Sequence, residues 1–272
     1  MTDRYAVVGN PVAHSLSPVI HAAFARQTGQ DIEYGKLLVP LGGFAATIDK
    51  FRGDGGKGVN VTVPFKFDAF RFCEPRASAI DAGAVNTLDF RDGEILGYNT
   101  DGIGLVTDLE RNLGFAIRDK RVLIMGAGGA TYGVMHPILK AQPKLLVVAN
   151  RTVEKARSLV ESAKRKFSGG DISAVFYPAL GGMQFDLVIN ATSAGLRDEM
   201  PPLPEGVFAA GALAYDMVYG KATPFMAFAQ NRGARTSDGL GMLVEQAAEA
   251  FSIWRGVRPD TRPVVEKLRI RT

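Results

Sequence analysis

The stretch Arg121–Gly133, RVLIMGAGGATYG, decides the fold of this chain. Its apolar first half has the pattern of a buried strand, and the strand runs directly into a glycine-rich turn and then a helical pattern. A second apolar strand is expected at Leu145–Ala149. In such a strand, turn, helix and strand unit, backbone N–H groups and a helix N-terminus approach a pyrophosphate. The motif is a G-x-G-G variant with Thr131 at the place of the third glycine, and its setting predicts a dinucleotide-binding domain.

The residues after the second strand indicate which dinucleotide is bound. An NAD site usually carries Asp or Glu about 20 residues after the glycines, where the carboxylate accepts from the ribose 2′-hydroxyl. Here the chain reads Asn150-Arg151-Thr152, with Lys155 close behind. A guanidinium, a hydroxyl and an ammonium suit a 2′-phosphate, so NADP is the expected cofactor. The alternative is that Arg151 only solvates the start of the next helix.

Ahead of this domain, the stretch Asn60–Lys66 has the pattern of a strand that opens into a helix. Asn60 and Thr62 alternate with β-branched apolar residues, which predicts one buried face and one hydrogen-bonding face. The apolar residues are Val59, Val61 and Val63. Pro64 ends the strand, and Lys66 follows where ligands of α/β folds bind. Lys66 is therefore a candidate catalytic residue, although a solvated lysine is the commoner outcome.

Other polar residues stand at expected element ends in the same half. Ser17 precedes Pro18 and fits a helix N-cap, and this explanation is as good as a ligand contact. Ser15 lies in the turn after the first strand, where a cap role does not explain it. Asn86 and Asp101 have small neighbours and could equally be turn or cap residues. Strands and helices alternate along the chain, which predicts βαβ connections and mainly parallel sheets.

Length and composition favour a two-domain α/β protein that binds small anionic molecules. The 272 residues exceed one typical core, and the carboxyl-terminal part after Gly239 is helical, with an apolar stripe. The net charge is +4, and the basic residues are scattered, so no nucleic-acid partner is expected. The single cysteine and three histidines lack metal-ligand spacing, so we expect no metal. Without an apolar run of membrane length or a secretion signal, we expect a cytoplasmic protein with no membrane partner.

Taken together, these motifs resemble the shikimate dehydrogenase family, an NADP-dependent family of aromatic amino-acid biosynthesis, over essentially the whole chain. The motifs are Gly9-Asn10-Pro11, His14–Pro18, Asn60–Lys66, Ala82–Thr87, Asn99–Gly102, Gly126–Ala130, Asn150–Thr152, Asn190–Gly195, Tyr215–Met217 and Asp238–Met242. The resemblance implies a substrate-binding domain over residues 1–102, with residues 239–272 returning to complete it. It also implies a Rossmann-type NADP-binding domain over residues 103–238.

The resemblance also implies roles for individual residues. The substrate carboxylate would be held by Ser15, Ser17, Thr62 and Tyr215. The ring hydroxyls would be surrounded by Lys66, Asn86, Asp101 and Gln246, with Asn60 beside them. The pyrophosphate would be cradled by Gly126, Ala127, Gly128, Gly129 and Ala130, and the 2′-phosphate would be held by Asn150, Arg151, Thr152 and Lys155. The nicotinamide end would be shaped by Thr192, Met217, Gly239 and Met242.

Lys66 and Asp101 are the expected catalytic pair, with Lys66 as the proton-transfer residue and Asp101 as its partner. Asp101 also favours the charged form of Lys66, which opposes its use as a neutral base, so either residue could transfer the proton. Tyr98 and Lys155 depart from residues common in the family, and a quinate/shikimate dehydrogenase or a paralog for a related ring acid is the alternative. A non-catalytic NADP-binding sensor is the alternative from another class. The expected assembly is a monomer or a homodimer.

Overall fold

The computed structural model describes residues 2–167 and 170–270, and the chain divides into two compact units. The first unit ends at Gly104 and resumes at Leu243, and the second runs from Leu105 to Met242. The chain passes from one unit to the other within helices at both places. In the described part of the chain, no helix is long and apolar enough to cross a membrane. The functional division of the domains at residues 102 and 238 stays a prediction.

The described elements alternate along the chain, as the sequence predicts. The strands are β1 Asp3–Gly9, β2 Ile32–Leu38, β3 Gly56–Val61, β4 Glu74–Pro75, β5 Thr87–Arg91, β6 Glu94–Tyr98, β7 Arg121–Met125, β8 Leu145–Ala149, β9 Asp171–Val175, β10 Phe185–Asn190, β11 Phe208–Asp216 and β12 Arg235–Ser237. The helices are α1 Ser17–Thr28, α2 Phe44–Gly53, α3 Lys66–Phe72, α4 Ala77–Ala82, α5 Asp101–Thr107, α6 Gly129–Lys140, α7 Val153–Lys166, α8 Pro224–Gln230, α9 Leu240–Arg255 and α10 Arg262–Arg269. A π-helical turn at Asp108–Asn112 continues α5.

The first unit is built on a mixed sheet with the strand order β2-β1-β3-β5-β6-β4. The strands β2, β1 and β3 are parallel, as expected, and β4 is parallel to β6. In contrast, β5 runs antiparallel to both β3 and β6. The β5–β6 turn contains Asp92 at φ 53° and Gly93 at φ 87°. Both values suit a type I′ hairpin turn, which reverses the chain direction between β5 and β6.

The two faces of β3 differ as the alternation in Asn60–Lys66 predicts. Val59 and Val61 are buried in an apolar cluster with residues of α2 and α3, while the side chain of Asn60 makes hydrogen bonds. Val63 departs from this pattern because β3 ends at Val61 and leaves Val63 60% exposed.

The carboxyl-terminal helices pack on the first sheet. Trp254 of α9 stacks on Tyr5 of β1 with ring centroids 4.6 Å apart, and its indole N–H donates to the Leu88 carbonyl at 3.1 Å. The helix α10 is tied to α9 because the Thr261 hydroxyl donates to the buried carboxylate of Glu245 at 2.6 Å. From Leu243 onward, these helices therefore belong to the first unit although they follow the second in sequence.

The second unit is a fully parallel six-stranded sheet with the order β12-β11-β10-β7-β8-β9. Its first strand, β7, lies at the centre of the sheet. From β7 the chain continues outward through β8 and β9 on one side, and then through β10, β11 and β12 on the other. This is the doubly wound Rossmann arrangement, in which ligands bind beyond the carboxyl ends of the strands. Apolar clusters cover both faces of the sheet, so its strands are nearly continuous apolar runs. The predicted α/β class with two such units is confirmed.

Two strands of this unit differ in how far they extend. The strand β9 ends at Val175, and Tyr177–Leu180 forms a 3₁₀ turn in which Pro178 has no N–H to extend a ladder. The strand β11 begins at Phe208 and is nine residues long.

Candidate functional site

One edge of the first sheet gathers six of the predicted substrate residues. The strands β1 and β3 are parallel, so their carboxyl ends meet at this edge, and the antiparallel β5 begins there. These residues lie in or next to the strand ends and the first turns of α1, α3 and α5. They are Ser15, Ser17, Thr62, Lys66, Asn86 and Asp101. Asn60 lies within β3, and Gln246 comes from α9.

Lys66 and Asp101 form the ion pair at the centre of this edge. The Lys66 Nζ and Asp101 Oδ2 atoms are 2.5 Å apart, and the two side chains are 16% and 9% exposed. Each residue opens its helix, Lys66 in α3 and Asp101 in α5. The Asp101 backbone N–H donates to Asn99 Oδ1 at 3.1 Å, which fixes the start of α5. The pair places an ammonium and a carboxylate side by side at this edge of the sheet.

Asn86 connects this pair to its surroundings. Its Nδ2 donates to Asp101 Oδ1 at 2.8 Å, and its Oδ1 accepts from the Thr100 backbone N–H at 2.8 Å and from the Thr87 hydroxyl at 3.0 Å. The Gln246 Oε1 atom lies 3.5 Å from Asn86 Nδ2. The predictions did not include Thr87 and Thr100, although each is adjacent in sequence to a predicted residue.

Ser15 and Ser17 form a pair of hydroxyls at the start of α1. The Ser15 Oγ donates to Ser17 Oγ at 3.1 Å and accepts from the Ser17 backbone N–H at 3.2 Å. Of the two alternatives for Ser17, the N-cap role is wrong because α1 begins at Ser17, and Leu16 occupies the cap position. Thr62 lies just past β3, where its backbone N–H donates to the Val8 carbonyl at 2.9 Å. These positions put three hydroxyl-bearing residues at the carboxyl ends of β1 and β3.

Tyr215 is placed differently, in the core of the second unit. Its side chain is fully buried, its hydroxyl donates to Asp108 Oδ2 at 2.7 Å, and the Met242 backbone N–H donates to it at 3.3 Å. Burial and the neighbouring Asp108 carboxylate raise the pKa of Tyr215 well above its ordinary value. The role of Tyr215 at the substrate carboxylate stays a prediction.

The glycine-rich turn after β7 has the shape that a pyrophosphate requires. Gly126 has φ +102°, and a Cβ there would lie 3.1 Å from the Ala191 carbonyl oxygen, so the position favours glycine. Gly128 is the cap position of α6, and the first turn of this helix contains no acidic residue. The buried Thr131 hydroxyl donates to the Gly126 carbonyl at 2.9 Å, which closes the turn where the usual motif has its third glycine. Gly126–Ala130 therefore fit a phosphate group at a helix N-terminus.

The residues predicted to bind a 2′-phosphate lie at the end of the adjacent strand β8. Arg151, Thr152 and Lys155 are exposed, and Asn150 is half-buried. The Asn150 Nδ2 donates to the Thr152 carbonyl at 2.8 Å, which shapes the turn into α7. Two cations at the carboxyl end of the strand next to the glycine turn suit an adenosine 2′-phosphate.

The residues predicted for the nicotinamide end lie after three strands of the second unit. Thr192 follows β10, Met217 follows β11, Gly239 follows β12, and Met242 lies in the first turn of α9. The Thr192 hydroxyl donates to Asn190 Oδ1 at 2.7 Å, and Asn190 Nδ2 donates to Asp216 Oδ2 at 3.2 Å. Burial raises the pKa of the Asp216 carboxyl, while hydrogen bonds from Thr223 and other donors oppose the shift. Gly239 packs against the Met217 backbone with no space for a Cβ, and Met217 and Met242 both border the unit's core. The predicted site residues do not include Asp108, Asn190 and Asp216, whose hydrogen bonds support this region.

Among the described residues, no group of His, Cys, Asp and Glu could hold a metal ion. The groups that suit a dinucleotide cofactor are the glycine turn, the N-terminus of α6 and the cations after β8.

Known proteins resemble the chain over its full length. Family models match in order: the shikimate dehydrogenase substrate binding domain at residues 7–88, shikimate/quinate 5-dehydrogenase at 108–196 and the shikimate 5′-dehydrogenase C-terminal domain at 239–269. A shikimate dehydrogenase (NADP(+)) of Methylobacillus flagellatus is 58% identical over 269 residues, which cover 98% of this chain and 99% of the relative.

Two crystal structures extend this similarity to the fold. An enzyme named Ael1 from Pseudomonas putida is 49% identical with a TM-score of 0.90, and the match covers 98% of each chain. The shikimate 5-dehydrogenase of Thermus thermophilus, in complex with NADP(H) and shikimate, is 32% identical with a TM-score of 0.87. That match covers 98% of this chain and 99% of the other.

Proposed function

Because the chain belongs to the shikimate dehydrogenase family, we propose that it catalyses the reversible, NADPH-dependent reduction of 3-dehydroshikimate to shikimate. The product belongs to the biosynthesis of aromatic amino acids. The observation that carries the proposal is the Lys66–Asp101 ion pair, held by Asn86 at the edge of the first sheet.

The reduction needs a hydride at the carbonyl carbon and a proton at its oxygen, and Lys66 has the role of proton donor. In the ion pair with Asp101, the Lys66 Nζ would give a proton to the new alkoxide oxygen. In the oxidation of shikimate the same Nζ would accept the hydroxyl proton, so both directions use the same group.

The remaining polar residues of the first unit would bind and orient the substrate. The Ser15–Ser17 hydroxyl pair and Thr62 offer donors for a carboxylate. Asn60, Asn86 and Gln246 offer amide groups for ring hydroxyls. Sites built to pair with substrate hydroxyls reject analogues that lack them, because their own buried groups are then left unpaired.

NADP is the cofactor, and when bound it donates or accepts the hydride. The backbone of Gly126–Ala130 would hold its pyrophosphate, and Arg151, Thr152 and Lys155, with Asn150, would hold the 2′-phosphate. Thr192, Met217, Gly239 and Met242 would border the nicotinamide. The absence of a carboxylate in the sequence at Asn150–Thr152 favours NADP over NAD.

A specificity measurement tests this assignment of substrate and cofactor. Steady-state rates with shikimate and with quinate, each with NADP⁺ and with NAD⁺, should give the highest kcat/KM for shikimate with NADP⁺. One matching family model is described as shikimate/quinate 5-dehydrogenase, so quinate is the relevant competitor. A higher kcat/KM with quinate would assign the chain to the alternative activity, and a preference for NAD⁺ would overturn the role of Arg151.

The same proposal includes the setting in which the enzyme works. We place it in the cytoplasm as a monomer or homodimer whose ligands are small molecules, with no nucleic acid or membrane partner. The single cysteine, Cys73, and the scattered basic residues support this setting. Light scattering of the purified chain would test the assembly, and a larger oligomer would contradict it.

A further inference from the structure

A continuous series of hydrogen bonds leads from Tyr34 to the catalytic pair. The Tyr34 hydroxyl donates to Asn60 Oδ1 at 2.7 Å, and Asn60 Nδ2 donates to Thr87 Oγ1 at 3.0 Å. The Thr87 hydroxyl donates onward to Asn86 Oδ1. Asn86 then donates to Asp101, which pairs with Lys66. We call these six residues the polar chain, and Tyr34 is the member farthest from Lys66 along it.

The ring of Tyr34 is held rigidly by an aromatic cluster. It stacks on the fully buried His21 of α1 with centroids 4.1 Å apart and the planes 5° from parallel. Trp254 and Phe251 of α9 and Phe24 of α1 surround the same imidazole. This packing holds the ring against α1 and α9, with its hydroxyl directed at Asn60.

From this geometry we propose that Tyr34 is a positioning residue for substrate binding, which acts by fixing the side-chain amide of Asn60. This inference rests on the proposed function. A tyrosine hydroxyl that donates to Oδ1 makes that end of the amide the acceptor, so Nδ2 must face Thr87. Without this hydrogen bond, the side-chain amide of Asn60 can rotate and exchange the positions of its oxygen and nitrogen atoms. The substrate would then meet a donor where the site should present an acceptor, or the reverse.

The surroundings of Tyr34 support this role. Burial raises the pKa of Tyr34 well above its ordinary value, and a nearby Ser17 hydroxyl opposes the shift. The hydroxyl therefore stays protonated and available as a donor, next to a residue assigned to the substrate carboxylate. In the sheet, Tyr34 lies opposite Tyr5 of β1, and Asn60 lies opposite Val7 of the same strand. Because Tyr5 and Val7 are two residues apart, all four side chains share one face of the sheet.

Tyr34→Phe tests the inference because it removes only the hydroxyl and keeps the stacked ring. The KM for shikimate should rise about 5- to 10-fold, the value of one buried hydrogen bond, while kcat changes less than about threefold and the KM for NADP⁺ stays within about twofold. Tyr5→Phe is the matched control, since Tyr5 stacks on Trp254 of the same cluster and lies outside the polar chain. Its KM for shikimate should stay at the wild-type value.

A double-mutant cycle then separates positioning from general support of the fold. If Tyr34 acts through Asn60, adding Tyr34→Phe to Asn60→Ala should raise KM by less than about twofold further. An unchanged KM in Tyr34→Phe, an equal rise in Tyr5→Phe, or a full additional rise in the Asn60→Ala background would each overturn the inference. A wild-type enzyme with no activity on shikimate would overturn the proposed function and this inference with it.

Discussion

Lys66 and Asp101 are separated by 35 positions in the sequence, yet their side chains form a 2.5 Å ion pair. Lys66→Met removes the ammonium while keeping an unbranched side chain in the same space. We expect kcat to fall about 100-fold or more, because the proton donor is lost, and the affinity for shikimate to stay nearly unchanged. Steady-state kinetics with a direct binding measurement would check this. Lost affinity with an unchanged kcat would assign Lys66 to binding instead of proton transfer.

His21 makes the stability of the fold depend on pH. Burial lowers its pKa from 6.5 to about 3, and neither ring nitrogen has a well-formed hydrogen bond to any described residue, although Asn60 lies near enough to oppose part of the shift. Between these two pKa values the unfolded chain binds a proton that the folded chain does not. The contribution of His21 to the free energy of unfolding should therefore be fully present above pH 6.5 and should fall by about 1.4 kcal/mol per pH unit between pH 6.5 and about 3.

His21→Phe, which keeps a ring in the aromatic cluster, isolates this contribution. Urea unfolding of both proteins across the acid range should give curves that diverge, with the variant losing less stability as the pH falls. Parallel curves would show that His21 titrates normally in the folded state.

At the scale of the elements, the start of α9 depends on a glycine. A Cβ at Gly241 would overlap the carboxylate of Asp108, which accepts from Tyr215 and from Asn112 within the second unit. Gly241→Ala should therefore lower the melting temperature by roughly 5 °C, the effect of an overpacked core site. Gly206→Ala is the control, because its Cβ would meet open space. Calorimetry would compare the two, and equal melting temperatures would contradict this explanation.

Elements with a strong local signal could be predicted, and elements defined by their partners could not. The alternation around Asn60 and the glycines after β7 predict strand ends and turns because both signals are local. The two-residue β4 and the six-residue α4 are too short to produce a periodic pattern. The antiparallel direction of β5 depends on which strands it joins, and the five residues of β5 do not specify those partners.

At the scale of the whole molecule, strand ends could be predicted, and the contacts between elements distant in sequence could not. The sequence shows which residues lie at strand ends, and six predicted substrate residues do share one edge of the first sheet. Long-range partners were missed, such as Tyr34 with Asn60, 26 positions apart, and Tyr215 with Asp108, 107 positions apart. Periodicity assigns a face to each side chain, and the partner that its polar atom reaches depends on packing among elements distant in sequence.

The most direct test of the account is the reduction itself, carried out with the wild-type chain, 3-dehydroshikimate and NADPH. We expect NADPH to be consumed in proportion to the ketone, and the product to be shikimate by chromatography and mass. Binding of NADPH without consumption would contradict the account and support the non-catalytic sensor. Consumption that yields a product other than shikimate would contradict the assigned substrate.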